Sequence, residues 1–273
     1  LTSKPWRAPR GPPTIMGILN VTPDSFSDGG LWTDPGAAVR HAFEMVDQGA
    51  GVIDIGAEST RPNASPVTAD EELARLEPVL RELAPSVDVP ISVDTMKAEV
   101  AERCIALGAT IVNDVLGLRG PGMTEVCAST GVDVIIMHMN GMPESMPAAM
   151  GDGFMDEIRG FLEARVSDAL DAGIRRESII LDPGIGFGKD PAQNSEILEN
   201  SSYFSCGGYP VLSASSRKRF LATRYPGMDR DDASAEAALV AVRSGAAMVR
   251  VHNVARTAEL LGLRRGLKDT SRR

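Results

Sequence analysis

Eight short apolar runs recur along this chain, and each stops on a polar residue or a glycine-rich turn. They cover residues 18–20, 52–56, 91–94, 110–114, 134–138, 179–184, 211–216 and 248–252. Strands of a parallel barrel are apolar along their length because helices cover them, and their carboxyl ends form the face where such folds keep their chemistry. The eight polar tips are therefore predicted to form one pocket.

Segments with helical periodicity lie between the runs. The clearest cover residues 35–48, 69–83, 97–107, 152–172 and 233–244. Several end on a glycine, as in QGAGV and SGAAM, because glycine accepts the left-handed conformation that ends a helix. Strand and helix therefore alternate along the chain.

Eight strand–helix units in 273 residues predict an α/β fold, a single-domain (β/α)8 TIM barrel rather than an open doubly wound sheet. The barrel is placed at residues 14–266, with a basic tail at 267–273. Residues 1–13 are predicted to form an arm that is laid across the barrel floor or mobile. The sixth helix is the weakest prediction, because residues 191–208 have poor periodicity.

Charge and composition narrow the function classes. The chain has 28 basic and 37 acidic residues, a net charge of −9, and no basic stripe with interleaved aromatics, so nucleic acid is not an expected partner. No long apolar run indicates a membrane span, and the first residues lack the apolar core of a secretion signal. Cys104, Cys127 and Cys206 are odd in number and widely spaced, as in buried thiols. A cytoplasmic protein is expected.

Four polar side chains stand at predicted inner tips. They are Asp54, Asp94, Asn113 and Asp182. Crowded carboxylates and amides can accept hydrogen bonds from the ring N–H and amino groups of a planar heterocycle. The alternative is a structural network that closes the barrel mouth, but four such groups together favour a binding site.

The last two tips carry cations. Ser216 is predicted to lie at a helix N-terminus, which would seat an anion, with Lys218 beside a ring face and Arg217 turned outward into a salt bridge. Arg250 and His252 are two residues apart and hence on one strand face, where together they would bind an oxyanion such as phosphate. A histidine at a strand end can also be a structural group.

Two long polar connections follow the first two strands, at residues 21–32 and 57–68. Long loops at this face of a barrel usually cover ligand. In the second, Arg61 is either a ligand for a substrate anion or solvated. The glycines of DPGIGFGKD do not indicate a dinucleotide site, because the required strand-to-helix context and acidic residue are missing.

Taken together, these segments resemble the dihydropteroate synthase family. The resemblance lies in MGILNVTPDSFSDGG, DIGAESTRP, SVDT, ND, MHM, DPGIGFGK, SRK and RVH, which occur in the family's order and cover nearly the whole barrel. It implies a magnesium-dependent condensation of 6-hydroxymethyl-7,8-dihydropterin diphosphate with 4-aminobenzoate, with sulfonamides as competitors and a homodimeric assembly.

The resemblance also implies roles for individual residues. Pterin would be bound by Asp94, Asn113, Met137, Asp182, Phe187 and Lys218. Diphosphate would be bound by Asn20, Arg61, Arg250 and His252, with Asn20 also on Mg²⁺. Aminobenzoate would be framed by Thr60, Arg61, Pro62 and Ser216. The expected catalytic residues are Asp24, Asp94, Asp182 and Lys218, of which Asp24 would close with the first loop over the reacting carbon.

Three positions depart from the family pattern. Ala57 and Ala214 stand where glycine is usual, and Asn253 stands where aspartate is usual. A methyl group at 214 would narrow the aminobenzoate pocket, which suggests reduced sulfonamide sensitivity. Two other functions remain open: a pterin-binding paralogue without synthase activity, and a pterin-binding barrel of the corrinoid methyltransferase type.

Overall fold

The computed structural model describes Trp6 and residues 11–22, 35–58, 67–142 and 145–263. Within these ranges eight parallel strands alternate with nine α-helices. The strands are β1 (Thr14–Asn20), β2 (Val52–Gly56), β3 (Ile91–Asp94), β4 (Ile111–Asp114), β5 (Asp133–Met137), β6 (Ile179–Asp182), β7 (Leu212–Ser213) and β8 (Met248–Val251). The helices are α1 (Pro35–Asp47), α2 (Ala69–Leu83), α3 (Ala98–Ala106), α4 (Met123–Thr130), α5 (Phe154–Asp171), α6 (Pro191–Glu199), α7 (Phe220–Arg224), α8 (Arg230–Arg243) and α9 (Val254–Leu260).

The strands form one sheet in the order β6-β5-β4-β3-β2-β1-β8-β7. A single bridge between Leu181 and Val211 joins the two ends, where the amide of Leu181 donates to the carbonyl of Pro210 at 2.9 Å. We call this joint the β6–β7 seam. The predicted (β/α)8 barrel is confirmed.

Alternate positions of the strands point into the barrel, as the period of two requires. One interior layer is a closed apolar cluster of Met16, Val52, Ile111, Ile135, Ile180, Leu212 and Met248. Two residues further along most of these strands come the polar tips, so they also face inward, toward the mouth. The polar side chains of the mouth therefore lie next to a buried apolar layer inside the barrel.

Trp6 closes the opposite end of the barrel. It is 4% exposed and belongs to the same interior cluster. Its amide donates to Asp133 Oδ2 at 2.9 Å and its indole N–H donates to Thr14 Oγ1 at 3.2 Å. Both partners are the first residues of their strands, so at this residue the arm does lie across the barrel floor.

Helix boundaries follow local signals. Thr68 and Glu71 form a capping box at the start of α2, and Asp190 and Gln193 form another at α6, the helix with the poorest sequence periodicity. Helices α4 and α9 lie outside the segments with the clearest periodicity, although a helix was expected after every strand. The three cysteines are buried and free, as expected.

Candidate active site

Arg250 is the hub of the barrel mouth. Its Nε donates to Asp54 Oδ2 at 2.5 Å and its Nη2 donates to Asp94 Oδ2 at 2.8 Å. Burial raises the pKa of Asp94, and the Arg250 guanidinium opposes that shift. The inward tips of β2, β3 and β8 are therefore held together by charge as well as by the sheet.

Asp54 is completely buried beneath this hub. Asn113 Nδ2 also donates to Asp54 Oδ2, at 3.2 Å. The second oxygen, Oδ1, has no hydrogen-bond partner among the described residues. Of the four tips predicted to converge, Asp54, Asp94 and Asn113 thus form one connected polar network with Arg250.

Asp182, at the end of β6, stands on the other side of the mouth. It is 3% exposed, and its Oδ1 accepts from the amide of Gly184 at 2.7 Å. Burial raises its pKa, while Lys218 and that amide lower it. Gly184 has φ 71°, and a Cβ there would lie 1.8 Å from the carbonyl oxygen of His138, so only glycine fits this turn.

Lys218 lies opposite Asp182 on the segment after β7. Its Nζ donates to the carbonyl oxygen of Ile185 and lies 4.5 Å from the centroid of the Phe187 ring. Burial lowers the pKa of Lys218 to about 8, while Asp182 raises it. Lys218 thus contacts a ring face and a carbonyl oxygen of the protein itself, those of Phe187 and Ile185.

An apolar patch borders these polar groups. Met137 is 2% exposed and packs with Val115 and Met139, with Phe187 and three partly buried neighbours against them. Met137 and Phe187, both predicted to line the pterin slot, therefore belong to one surface. Polar acceptors beside an apolar wall suit a flat heterocycle.

Ser216 and His252 are placed differently from the prediction. Helix α7 begins only at Phe220 and has five residues, so the prediction that Ser216 lies at a helix N-terminus is wrong. Arg217 intervenes with φ 58° and turns outward to Asp231, which it contacts at 2.7 Å. The Ser216 hydroxyl instead contacts His252.

Arg250 and His252 both follow Met248 at intervals of two residues, as expected for one face, and their side chains bond different groups. Arg250 binds the carboxylates, and His252 binds Ser216. An oxyanion would therefore meet two donor side chains, a guanidinium and an imidazole, that are held by different partners.

Asn20 ends β1 at the mouth and is half-buried. No group of three or more acidic, histidine or cysteine side chains among the described residues could hold a metal ion. This still fits Mg²⁺, which keeps several waters and is often held by one or two protein oxygens together with substrate phosphates. Asp24, Thr60, Arg61 and Pro62 lie outside the described residues.

Sequence reasoning missed one buried group at the site. Lys189, the last residue of DPGIGFGK, is 6% exposed and contacts His138, which ends the predicted fifth tip. His138 lies in the motif MHM and Lys189 in DPGIGFGK, but neither was predicted to have a function. The usable signal was a lysine within an otherwise glycine-rich, apolar loop.

This chain is similar to known proteins along nearly its whole length. The profile of the pterin binding enzyme family matches residues 16–252. A dihydropteroate synthase of Bacillus subtilis (strain 168) is 41% identical over 90% of this chain and 85% of its own length. This chain belongs to the dihydropteroate synthase family. The enzyme of that name from Escherichia coli (strain K12) is 42% identical over 91% of this chain and 89% of its own.

Solved dihydropteroate synthases have the same fold. The Xanthomonas albilineans enzyme, solved with 4-aminobenzoic acid, has a TM-score of 0.86 and 41% identity, with 92% of each chain covered. The Yersinia pestis enzyme, solved with a sulfonamide drug complex, has a TM-score of 0.89 and 40% identity, covering 96% of this chain and 97% of that one. The resemblance read from the motifs is confirmed. Across the described ranges, every helix is too short or too polar to cross a bilayer.

Proposed function

We propose that this protein condenses 6-hydroxymethyl-7,8-dihydropterin diphosphate with 4-aminobenzoate, giving 7,8-dihydropteroate and diphosphate. The observation that carries the proposal is the barrel mouth itself. Asp94, Asn113, Asp182 and Lys218 converge there beside the Met137–Phe187 wall, in a chain about 41% identical to enzymes of that name.

The pterin would lie between the polar network and the apolar wall. The Asp182 carboxylate accepts from adjacent ring N–H and amino groups, while Asn113 offers both a donor and an acceptor. Lys218 is placed to donate to the ring carbonyl. The side chains of Met137 and Phe187 contact the ring plane.

The diphosphate would be held by Arg250, His252 and Asn20, with Arg61 added from the second loop. A guanidinium has five N–H donors, and the bonds to Asp54 and Asp94 use two of them. Arg250 can thus remain anchored to the carboxylates and still meet an oxyanion. Asn20 would contribute a protein oxygen to Mg²⁺, which, when bound, offsets charge on the departing diphosphate.

The chemistry proceeds by loss of diphosphate. The bond between the pterin methylene carbon and the diphosphate oxygen breaks, and its electron pair leaves with the diphosphate. Asp94 and Asp182 stabilise the positive charge that develops on the pterin. The aniline nitrogen of aminobenzoate then forms the new C–N bond and releases a proton, for which no strong general base is required.

Aminobenzoate would bind beside Ser216, framed by Thr60, Arg61 and Pro62, and sulfonamides would compete for that position. Reduced sulfonamide sensitivity through Ala214 is part of the proposal. So are a homodimeric assembly and a cytoplasmic location. Ala214 is 8% exposed and lies two residues after the inward-facing Leu212, hence inside the mouth.

The test is a direct synthesis assay. Purified protein with the pterin diphosphate, Mg²⁺ and 4-aminobenzoate should form dihydropteroate, detected by mass spectrometry, with one diphosphate released per product. Pterin binding without product would instead establish the silent paralogue. Corrinoid-dependent methyl transfer from a methylated pterin, with no dihydropteroate formed, would establish the methyltransferase alternative.

A further inference from the structure

Lys189 is a buried lysine whose ammonium is bonded by neutral acceptors. Its Nζ donates to the carbonyl oxygens of Gly184 at 2.9 Å and Phe187 at 3.0 Å. It also lies 3.0 Å from His138 Nδ1. These three acceptors match the three N–H donors of an ammonium. Burying an ammonium is costly unless each N–H donor has an acceptor. All three donors have one here, so the position of the Lys189 ammonium is fixed.

His138 is the matching acceptor. Burial lowers its pKa to about 3, and Lys189 adds to the shift. The imidazole is therefore neutral, and an ammonium donor on Nδ1 requires its ring proton to sit on Nε2. The amide of His138 in turn donates to the carbonyl oxygen of Asp182 at 2.9 Å. The Lys189–His138 pair thus connects the end of β5 with the turn that follows β6.

That turn builds one wall of the pocket. Gly184 donates to the Asp182 carboxylate, Ile185 accepts from Lys218, and Phe187 places its ring beneath the Lys218 ammonium. Lys189 donates to the carbonyl oxygens of two of these residues, Gly184 and Phe187. The contacts of the Lys218 ammonium with Ile185 and Phe187 are therefore made by a segment that Lys189 holds from the opposite side.

We propose that Lys189, with His138, is a positioning residue for pterin binding: it fixes the turn at residues 184–188 so that Asp182, Phe187 and Lys218 present one preformed surface to the ring. This rests on the function proposed above. Lys189 itself lies behind the surface and does not touch the reacting atoms.

The charged surroundings of Lys189 give the proposal a second readout. Asp182 on β6 and Glu157 on α5 favour its charge, whereas Lys218 after β7 opposes it. Burial is the largest influence and lowers the pKa of Lys189 to about 7. As pH rises through this pKa, Lys189 loses a proton, and its two remaining N–H groups cannot bond all three acceptors. Pterin affinity should fall because one of these hydrogen bonds is lost.

The experiment compares Lys189→Met with Arg175→Met as a matched control. Arg175 also donates to a backbone carbonyl, that of Gly131, at 3.0 Å, but it lies before β6 at the barrel floor. Calorimetric titration with unreactive 6-hydroxymethylpterin gives the Kd, and steady-state assays give KM for each substrate. In Lys189→Met we expect the pterin Kd and the pterin KM to rise at least about tenfold, with the aminobenzoate KM within about twofold of wild type. In Arg175→Met we expect the pterin Kd and the pterin KM to stay within about twofold of wild type.

Two outcomes overturn the inference. One is folded Lys189→Met with wild-type pterin Kd and an unchanged pH profile. The other covers the case in which Lys189→Met does not fold: then His138→Leu, which removes the Nδ1 acceptor, is compared with His138→Asn, which keeps an amide oxygen at the position of Nδ1. Equal pterin Kd in these two variants would overturn it, whereas weaker binding by His138→Leu alone supports it. Wild-type synthesis of dihydropteroate is measured first, so failure of the proposed function is recognised separately.

Discussion

Ser216 and His252 contact each other twice. The backbone N–H of His252 donates to Ser216 Oγ at 3.1 Å, and the same oxygen lies 2.9 Å from His252 Nδ1. A hydroxyl has one proton to donate, and when Ser216 donates it to Nδ1 the ring proton lies on Nε2. The imidazole then presents an N–H donor to an oxyanion from its far side.

Removing this hydroxyl should release the imidazole. In Ser216→Ala we expect KM for the pterin diphosphate to rise about three- to tenfold, because His252 loses the group that orients it. Nitrogen-15 NMR of the imidazole should show the Nε2–H tautomer in wild type and a mixture in the variant. An unchanged tautomer together with an unchanged KM would contradict this role.

Loss of Arg250 should destabilise the fold in a pH-dependent way. Arg250→Met leaves Asp54 and Asp94 buried without their cation, which should cost about 3–5 kcal/mol of unfolding free energy at neutral pH. Burial already raises the pKa of Asp94, and losing the guanidinium raises it further. The penalty belongs to the ionised form, so it should shrink as pH falls below that pKa. Urea unfolding at pH 5 and pH 8 measures it, and Asp94→Asn in the variant background should recover part of the loss.

Gly186 leaves no room for a side chain beside Lys218. It has φ 83°, and a Cβ would lie 2.7 Å from Lys218 Cδ. Gly131 has φ 68° with nothing within 4 Å of its Cβ position, so Gly131→Ala reports backbone strain alone. Both alanine variants should lose about 1–2 kcal/mol of stability. Only Gly186→Ala should raise pterin KM, by about fivefold, because it displaces the ammonium. Equal KM values in the two variants would count against this position for Lys218.

Asp182→Asn and Lys218→Ala should each lower turnover more than about tenfold while the barrel stays folded. The ionised Asp182 carboxylate is the form that accepts two pterin N–H groups. Burial raises the pKa of Asp182, so pterin affinity should fall as pH drops through that pKa and the carboxylate becomes protonated. Binding of pterin near that pKa should release protons. Titration calorimetry in buffers of different ionisation enthalpy counts those protons. Near wild-type turnover in either variant would remove the corresponding assignment.

Ala214→Gly should increase sulfonamide sensitivity. The methyl group faces the mouth in the layer that contains Arg250, and removing it widens the space beside Ser216. A methyl group in a pocket discriminates by about tenfold, so we expect the ratio of sulfonamide Ki to aminobenzoate KM to fall by about that factor. Ordinary sensitivity in wild type, unchanged in the variant, would refute the resistance hypothesis.

The barrel was predictable because its signal is local. Apolar runs mark the strands. Since side chains two residues apart share a strand face, Asp54 faces inward like Val52, and Arg250 faces inward like Met248. Helix α2 matches its predicted bounds. The short helices α4 and α9 have a weaker periodic pattern because threonine and serine lie within them, and only the alternation of strand and helix predicts them.

Partners at the site could not be read from the sequence in the same way. Arg250 and Asp54 are 196 residues apart, and the spacing that gives each a face does not give its rotamer. The helix expected after Ser216 is absent at that position because Arg217 takes a left-handed conformation, which a motif does not reveal. Lys189 was missed for a statistical reason: lysine is rarely buried, so sequence alone assigns it to the surface.

The β6–β7 seam divides the candidate site. Asp182 ends β6 and Lys218 follows β7, so the two charged walls of the pterin slot belong to opposite sides of the joint with a single bridge. Seven strand ladders hold the rest of the barrel. A small opening at the seam would change the width of the slot and leave those ladders intact. Amide exchange at Leu181, whose N–H donates across the seam to Pro210, would record such an opening.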